Sequence, residues 1–192
     1  MSGREAILNT IKANKPVATA LPFIDITAAI TYDDVLQQYK TVLQNIGGSC
    51  QELNNEAELQ EALQSITASA TKVVNVLSAT PETIATADAV ALEATDIAIM
   101  RGVVAVAENA AIWVPEEQML NRLLPFICQQ LVLVINENDI VPTMHHAYEK
   151  IDVMGTGFGA FIAGPSKTAD IEQSLVIGAH GPVGLQVLIV KK

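Results

Sequence analysis

A chain of 192 residues holds one domain of ordinary size, and with 50% hydrophobic but only 4% aromatic residues its core must be aliphatic. Against 11 basic residues stand 21 acidic ones, a formal charge of −10 that argues against nucleic acid and anionic membrane surfaces, both of which need clustered Lys and Arg. No stretch supplies the roughly 20 apolar residues of a membrane span, and Met1 to Glu5 lacks the apolar core of a signal peptide, so the chain reads as cytoplasmic.

Taken in order, residues 3–13 can form a helix with Ile7, Leu8 and Ile11 on one side. The stretch from Asn14 to Thr27 carries Pro16 and Pro22 without a period, and reads as an extended arm crossing a surface or a partner. Residues 1–27 are therefore expected as an N-terminal helix and arm, and residues 28–192 as a single α/β domain. Thr31 opens the next helix, with Asp33 and Asp34 in the first turn; Val35, Leu36, Tyr39, Val42, Leu43 and Ile46 recur at helical spacing until Gly47-Gly48. Ser49 to Leu53 fits a short strand. Asn55 and Glu58 resemble a capping box ahead of a helix with Leu59, Ala62, Leu63 and Ile66 on its apolar face.

Lys72 to Leu77 reads as a buried strand, Thr80-Pro81-Glu82 as a helix start, and Ala85 to Leu92 as a short helix. This alternation of helix and strand predicts a parallel or mixed sheet. Strands then dominate: Asp96 to Met100, Val103 to Ala107 and Ala111 to Val114, with a hairpin turn at Glu108-Asn109 in which Asn109 tolerates positive φ. Met119 to Gln130 is irregular or helical around Pro125, Leu131 to Ile135 is a buried strand, and Pro142 starts a helix carrying His145 and His146. Gly155, Gly157 and Gly159 form a flexible passage into a strand at Ala160 to Ala163, and Leu185 to Val190 is a closing strand.

The sharpest segment runs Gly164-Pro165-Ser166-Lys167-Thr168-Ala169-Asp170-Ile171-Glu172 and is followed by Gly178-Ala179-His180-Gly181-Pro182. Glycines let the backbone approach a ligand. Ser166 and Thr168 offer hydroxyls, Lys167 a cation, and free backbone N–H groups can cradle an anion. Asp170 and Glu172 can cap a turn or bind a cation, and His180 can reach outward from its small neighbours. The same residues also fit an ordinary strand exit with Ser166 as a helix cap and Asp170 solvated.

GPSKTADIE followed by GAHGP resembles the C-terminal signature of the lactate-utilisation (LUD) domain family, of the lactate-utilisation protein C type. Arg101 to Ala110 resembles the family's Ala-Glu pair before a small turn and strand. Leu124-Pro125, the strand at 131–135 and Ile140-Val141-Pro142 follow in family order. The resemblance covers roughly the last half of the chain. It implies a mixed, mainly parallel sheet flanked by helices, similar to the NagB/RpiA/CoA-transferase group. It also implies a part in oxidising L-lactate to pyruvate beside iron–sulfur partner proteins, which would hold the clusters. The sequence departs from the pattern at Gln130, where many relatives carry His, and at Glu108-Asn109-Ala110 in place of a Glu-Thr-Gly-like turn. These amides keep hydrogen-bonding capacity without a titratable group.

Glu108 is the best single catalytic acid, as nucleophile or base on a turn between strands; a solvated hairpin acid is the alternative. His145 and His146 point about 100° apart on a helix, which disfavours a shared metal. Cys50 and Cys128 fall short of the four thiolates of a typical cluster, and Cys128 sits in an apolar stretch. Trp113 suits a core or interface. Three functions stay open: a component of lactate utilisation, a stand-alone enzyme for a small anionic or CoA-linked ligand, and a binding module whose N-terminal arm makes an oligomer.

Overall fold

A computed structural model of the protein describes residues 3–17, 19–20, 22–78, 82–171, 174–178 and 180–191. Helix α1 (Gly3–Ala13) buries none of its residues, and Ile7, Leu8 and Ile11 stay exposed. The arm behind it closes a single 3-10 turn at Ile26–Ala28, where the Asp25 carboxylate accepts the Thr27 N–H at 3.0 Å. Helix α2 (Val35–Asn45) begins later than Thr31 because Asp34 is its cap, accepting the Gln37 N–H at 2.8 Å. That geometry leaves Asp33 and Asp34 outside the first turn. Gly47, at φ +89°, ends the helix.

Strand β1 (Ser49–Leu53) leads to α3 (Glu56–Thr67). Asn55 caps α3 by accepting the Glu58 N–H at 3.0 Å, while the Glu58 carboxylate turns to the Asn54 N–H at 2.8 Å, one residue away from a true capping box. The expected strand at 72–77 shortens to β2 (Val73–Asn75). Thr80 and Pro81 of the expected helix start lie outside the described residues. Two single-turn helices follow, α4 (Glu82–Ala85) and α5 (Ala89–Leu92), the second capped by Asp88.

The remaining elements are β3 (Ile97–Arg101), β4 (Val104–Val106), β5 (Ile112–Pro115), α6 (Leu124–Ile127), β6 (Gln130–Asn136), β7 (Ile140–Val141), α7 (Met144–Lys150), α8 (Val153–Thr156), β8 (Gly159–Ile162), β9 (Lys167–Ile171), β10 (Ser174–Ile177) and β11 (Gly184–Val190). The glycine passage at 155–159 thus holds a helical turn, with Gly157 at φ +74° behind it.

Five parallel strands form the main sheet in the order β1-β11-β6-β3-β2. Its central strands are apolar on both faces, as a sheet covered on both sides requires. One face, with Met100, Leu133, Ile135 and Val187, packs against α2 and the small sheet. The other, with Ile99, Val132, Val134 and Leu188, packs against Leu59 and Leu63 of α3. The strands expected at 103–107, 111–114 and 160–163 leave this sheet and, with the short β7, build a second, four-stranded one, β7-β4-β5-β8. Ala105, Ile112 and Val114 face the core; Val104, Val106 and Trp113 are covered by Ala147 of α7 and by Phe161. Among the described residues, strands β9 and β10 pair only with each other, in an antiparallel hairpin. The architecture is α/β, with a mainly parallel sheet flanked by helices.

Candidate functional site

The bend after β8 is fixed by glycine chemistry. Gly164 has φ +72°, and a Cβ there would lie 3.1 Å from the Ile46 carbonyl oxygen at the end of α2. An L side chain is disfavoured on both counts. Pro165 is buried and lies 3.5 Å from where a Cβ on Gly47 would be, so the bend is seated on the end of α2.

Ser166 is then clamped from both sides. Its N–H donates to the Pro182 carbonyl at 2.9 Å, and its carbonyl accepts the Gly178 N–H at 2.9 Å. These two bonds draw the 178–182 segment against the bend, which brings His180 and Gly181 beside Ser166. They also commit the Ser166 N–H, so this amide is not free to cradle an anion as expected. Glycine at 181 keeps the approach close: a Cβ there would sit 3.0 Å from the Ser166 Cβ and 3.1 Å from its Oγ.

Between these segments lies a cleft of about 240 Å³. Its walls are apolar: Pro125, Phe126, Leu131, Phe161, Pro165 and Pro182. Ser166 and His180 supply its polar side chains. A second cleft of about 320 Å³ adjoins it, sharing Phe126, His180 and Gly181, and is lined further by Glu93 and Gln129. Apolar walls with a few placed polar groups are what a small-molecule site needs. Phe126, Phe161, Glu93 and Gln129 were not singled out from the sequence. Phe126 is 43% exposed despite its size, and its position directly after Leu124-Pro125 is the signal the sequence offers.

Of the expected residues, Gly164, Pro165, Ser166, His180 and Gly181 meet in the first cleft. Lys167 opens β9 and is exposed, outside the lining of either cleft. Thr168 and Asp170 lie on β9, and Glu172 falls outside the described residues. Glu108 is not in either lining. Its carboxylate accepts the Met144 N–H at 3.0 Å, at the start of α7. The β5–β8 register pairs Ile112 with Ile162, so the Glu108 turn and the Gly164 bend share one end of the small sheet with β5 between them.

The turn itself differs from expectation. Positive φ falls on Ala110, at +57°, while the Asn109 side chain accepts the Ala111 N–H at 3.0 Å. Gln130 lays its amide over Gly184, where a Cβ would come 2.1 Å from Oε1. His146 Nδ1 is 2.8 Å from the Thr143 hydroxyl, whereas His145 lines a groove with Ile24 and Ile26 of the arm. Among the described residues, no three His, Cys, Asp or Glu side chains are grouped to hold a metal. Burial pushes the Cys128 thiol up to about 12, which makes it a poor nucleophile. Burial also raises Cys50.

The clefts sit at the amino ends of β6 and β11, which begin at Gln130 and Gly184. Open parallel sheets more often bind ligands at the carboxyl ends of the strands. Here those ends carry a polar lattice: Arg101 to Asn136 at 3.5 Å, Asn136 to Asp139 at 2.7 Å, and Glu52 with Lys40 and Lys191.

A family model described as LUD domain matches residues 90–190. The chain is similar to lactate utilization protein C of Bacillus pumilus (strain SAFR-032), 33% identical over 90 residues, a match covering 44% of this chain and 38% of that protein. It is likewise similar to lactate utilization protein C of Oceanobacillus iheyensis, 26% identical over 104 residues, covering 51% of this chain and 45% of that protein. The match therefore spans less than half the length of either relative. Among solved structures, a DUF162 family protein from Deinococcus radiodurans superposes with a TM-score of 0.63 at 20% identity, over 81% of this chain and 96% of that one. That likeness establishes a shared fold. Among the described residues, no helix is long and apolar enough to cross a membrane.

Proposed function

Since the chain belongs to the LUD domain family, we propose that it is a component of L-lactate utilisation, acting in the oxidation of lactate to pyruvate beside iron–sulfur partner proteins, with the cleft at Ser166 and His180 as its working site. One observation carries this reading: every residue lining the two clefts lies within the stretch 90–190 that the LUD domain model matches. The clusters belong on the partners. This chain brings two cysteines, Cys50 on β1 and the buried Cys128, where a cluster usually takes four thiolates.

The test is genetic and biochemical. A deletion strain complemented by the wild-type chain grows on L-lactate as sole carbon source, and a strain complemented by His180→Ala grows poorly. Affinity purification from lactate-grown cells recovers cysteine-rich iron–sulfur proteins. Normal growth of the deletion strain on lactate overturns the proposal.

A second reading draws on the cleft alone: a stand-alone enzyme or binding protein for a small anionic or CoA-linked ligand on a CoA-transferase-like fold. Its support is a small apolar cleft with a hydroxyl and an imidazole on one side. Under this reading acyl-CoA at about 100 times its Kd raises the unfolding free energy by about 2.7 kcal/mol, and no shift in melting temperature counts against it.

A further inference from the structure

We infer that the two clefts flanking His180 act as one site for a neutral, planar heteroaromatic ring bearing an amino group, the nucleobase class, and that they do not take a free hydroxy acid. The inference rests on reading this cleft as the working site, and names what enters it.

Shape is the first argument. The clefts, about 240 and 320 Å³, adjoin at Phe126, His180 and Gly181, which line both. The first is walled by Phe126 and Phe161 with three proline rings, Pro125, Pro165 and Pro182. Such flat apolar faces stack on a ring. An acid as small as lactate has no face to stack and leaves most of this volume unfilled.

Charge is the second argument. Among the described residues no Lys or Arg lines either cleft, and Glu93 lines the second. A carboxylate bound in the second cleft would face the Glu93 carboxylate. Desolvating an anion without a fixed cation is unfavourable. The third argument is the polar edge. Glu93 accepts hydrogen bonds, and Gln129 and His180 can donate or accept. An exocyclic amino group beside a ring nitrogen complements that set. A quinone, which offers acceptors alone, leaves Glu93 unmatched.

The molecule carries its own reporter. Trp113, the sole tryptophan, packs against Phe161 with ring centroids 4.9 Å apart and planes tilted by 52°, so occupation of the cleft is expected to alter its emission. The experiment titrates the full chain with adenosine, L-lactate and pyruvate in separate arms, following Trp113 fluorescence and repeating by calorimetry. Adenosine is expected to bind saturably and the two acids not at all. Phe126→Ala is expected to weaken adenosine about tenfold or more through lost stacking, and Glu93→Gln about tenfold through the lost charged acceptor. Both side chains are exposed, and circular dichroism checks that each variant is folded. Saturable lactate binding that Phe126→Ala removes overturns the inference. So does adenosine binding that neither variant weakens, or no adenosine binding by the wild type. Any of these leaves growth on lactate to decide the broader role separately.

Discussion

The carboxylate of Glu108 accepts the backbone N–H of Met144 at 3.0 Å, so an acid on a hairpin turn caps a helix that starts 36 residues later. The residue next to that helix, Thr143, makes no side-chain cap of its own, because its hydroxyl pairs with His146 Nδ1 at 2.8 Å. Glu108→Ala is therefore expected to lower stability by about 1 kcal/mol, the usual cost of a lost cap, and Glu108→Gln by less, since its amide oxygen can still accept. Urea unfolding reads both. Growth on lactate separates capping from catalysis: Glu108→Gln retains it if the carboxylate serves only the helix, and loses it if Glu108 is the acid or nucleophile of a reaction.

Gly181 offers a probe of the cleft that barely touches the core. A methyl there needs the Ser166 side chain, 3.0 to 3.1 Å away, to give by a few tenths of an ångström. Gly181→Ala should change stability by about 1 kcal/mol or less while weakening function in the lactate growth assay. Wild-type growth from this variant would show that the close Ser166–Gly181 approach has no role.

Ala110 is fully buried at φ +57°, a conformation that costs an L residue about 1–2 kcal/mol. Ala110→Gly relieves that strain but removes a buried methyl worth about 0.8 kcal/mol, so its effect is expected to be small. Ala110→Val adds a β-branch to positive φ and volume to a closed site, and should cost about 2–3 kcal/mol. Guanidinium unfolding midpoints measure the difference, and equal midpoints for the two variants would exclude strain at this turn.

Asp96 gives the acid limb of stability a specific source. Its carboxylate accepts the Lys72 N–H at 2.9 Å and the Thr71 N–H at 2.7 Å, and those bonds hold it below its ordinary value of 3.8. A depressed carboxylate stabilises the fold fully above its unfolded pKa, and that contribution is lost as pH falls through the lower folded value. Melting temperature should fall as pH drops below about 4. Asp96→Asn should melt lower than wild type at pH 7, and the gap should narrow as the pH falls into the acid range. Parallel melting curves across that range would remove Asp96 from the acid response.

What the sequence discloses follows how local each signal is. The buried runs at 97–101, 131–135 and 185–190 are legible because strands covered on both faces must be continuously apolar, and α3 is legible from Asn55 and its stripe. Register and sheet membership are not local. Val104 to Val106 looks like any buried strand, yet it pairs with Trp113 and Ile140 in a separate sheet. The hairpin β9–β10 hides behind Lys, Thr, Asp and Ser, which promise a loop. At the site, the Gly-Pro-Ser bend and the His-Gly pair can be found from composition because glycine and proline announce themselves. Their union depends on two backbone bonds at Ser166, to which the side-chain sequence is silent. Phe126 follows the Leu124-Pro125 pair, but nothing local marks it or Glu93 as meeting at the second cleft.

The placement of β11 sets an order of events for the growing chain. Strand β1 has β11 as its sheet neighbour, and β11 also joins β1 to β6, yet more than a hundred residues of chain separate Ser49 from Gly184. On the ribosome, β1 and its flanking helices emerge early and wait, edges bare, until the last described strand slides between β1 and β6. Closure of the main sheet is thus a late, long-range event, which favours slow folding and leaves the nascent form dependent on protection from aggregation.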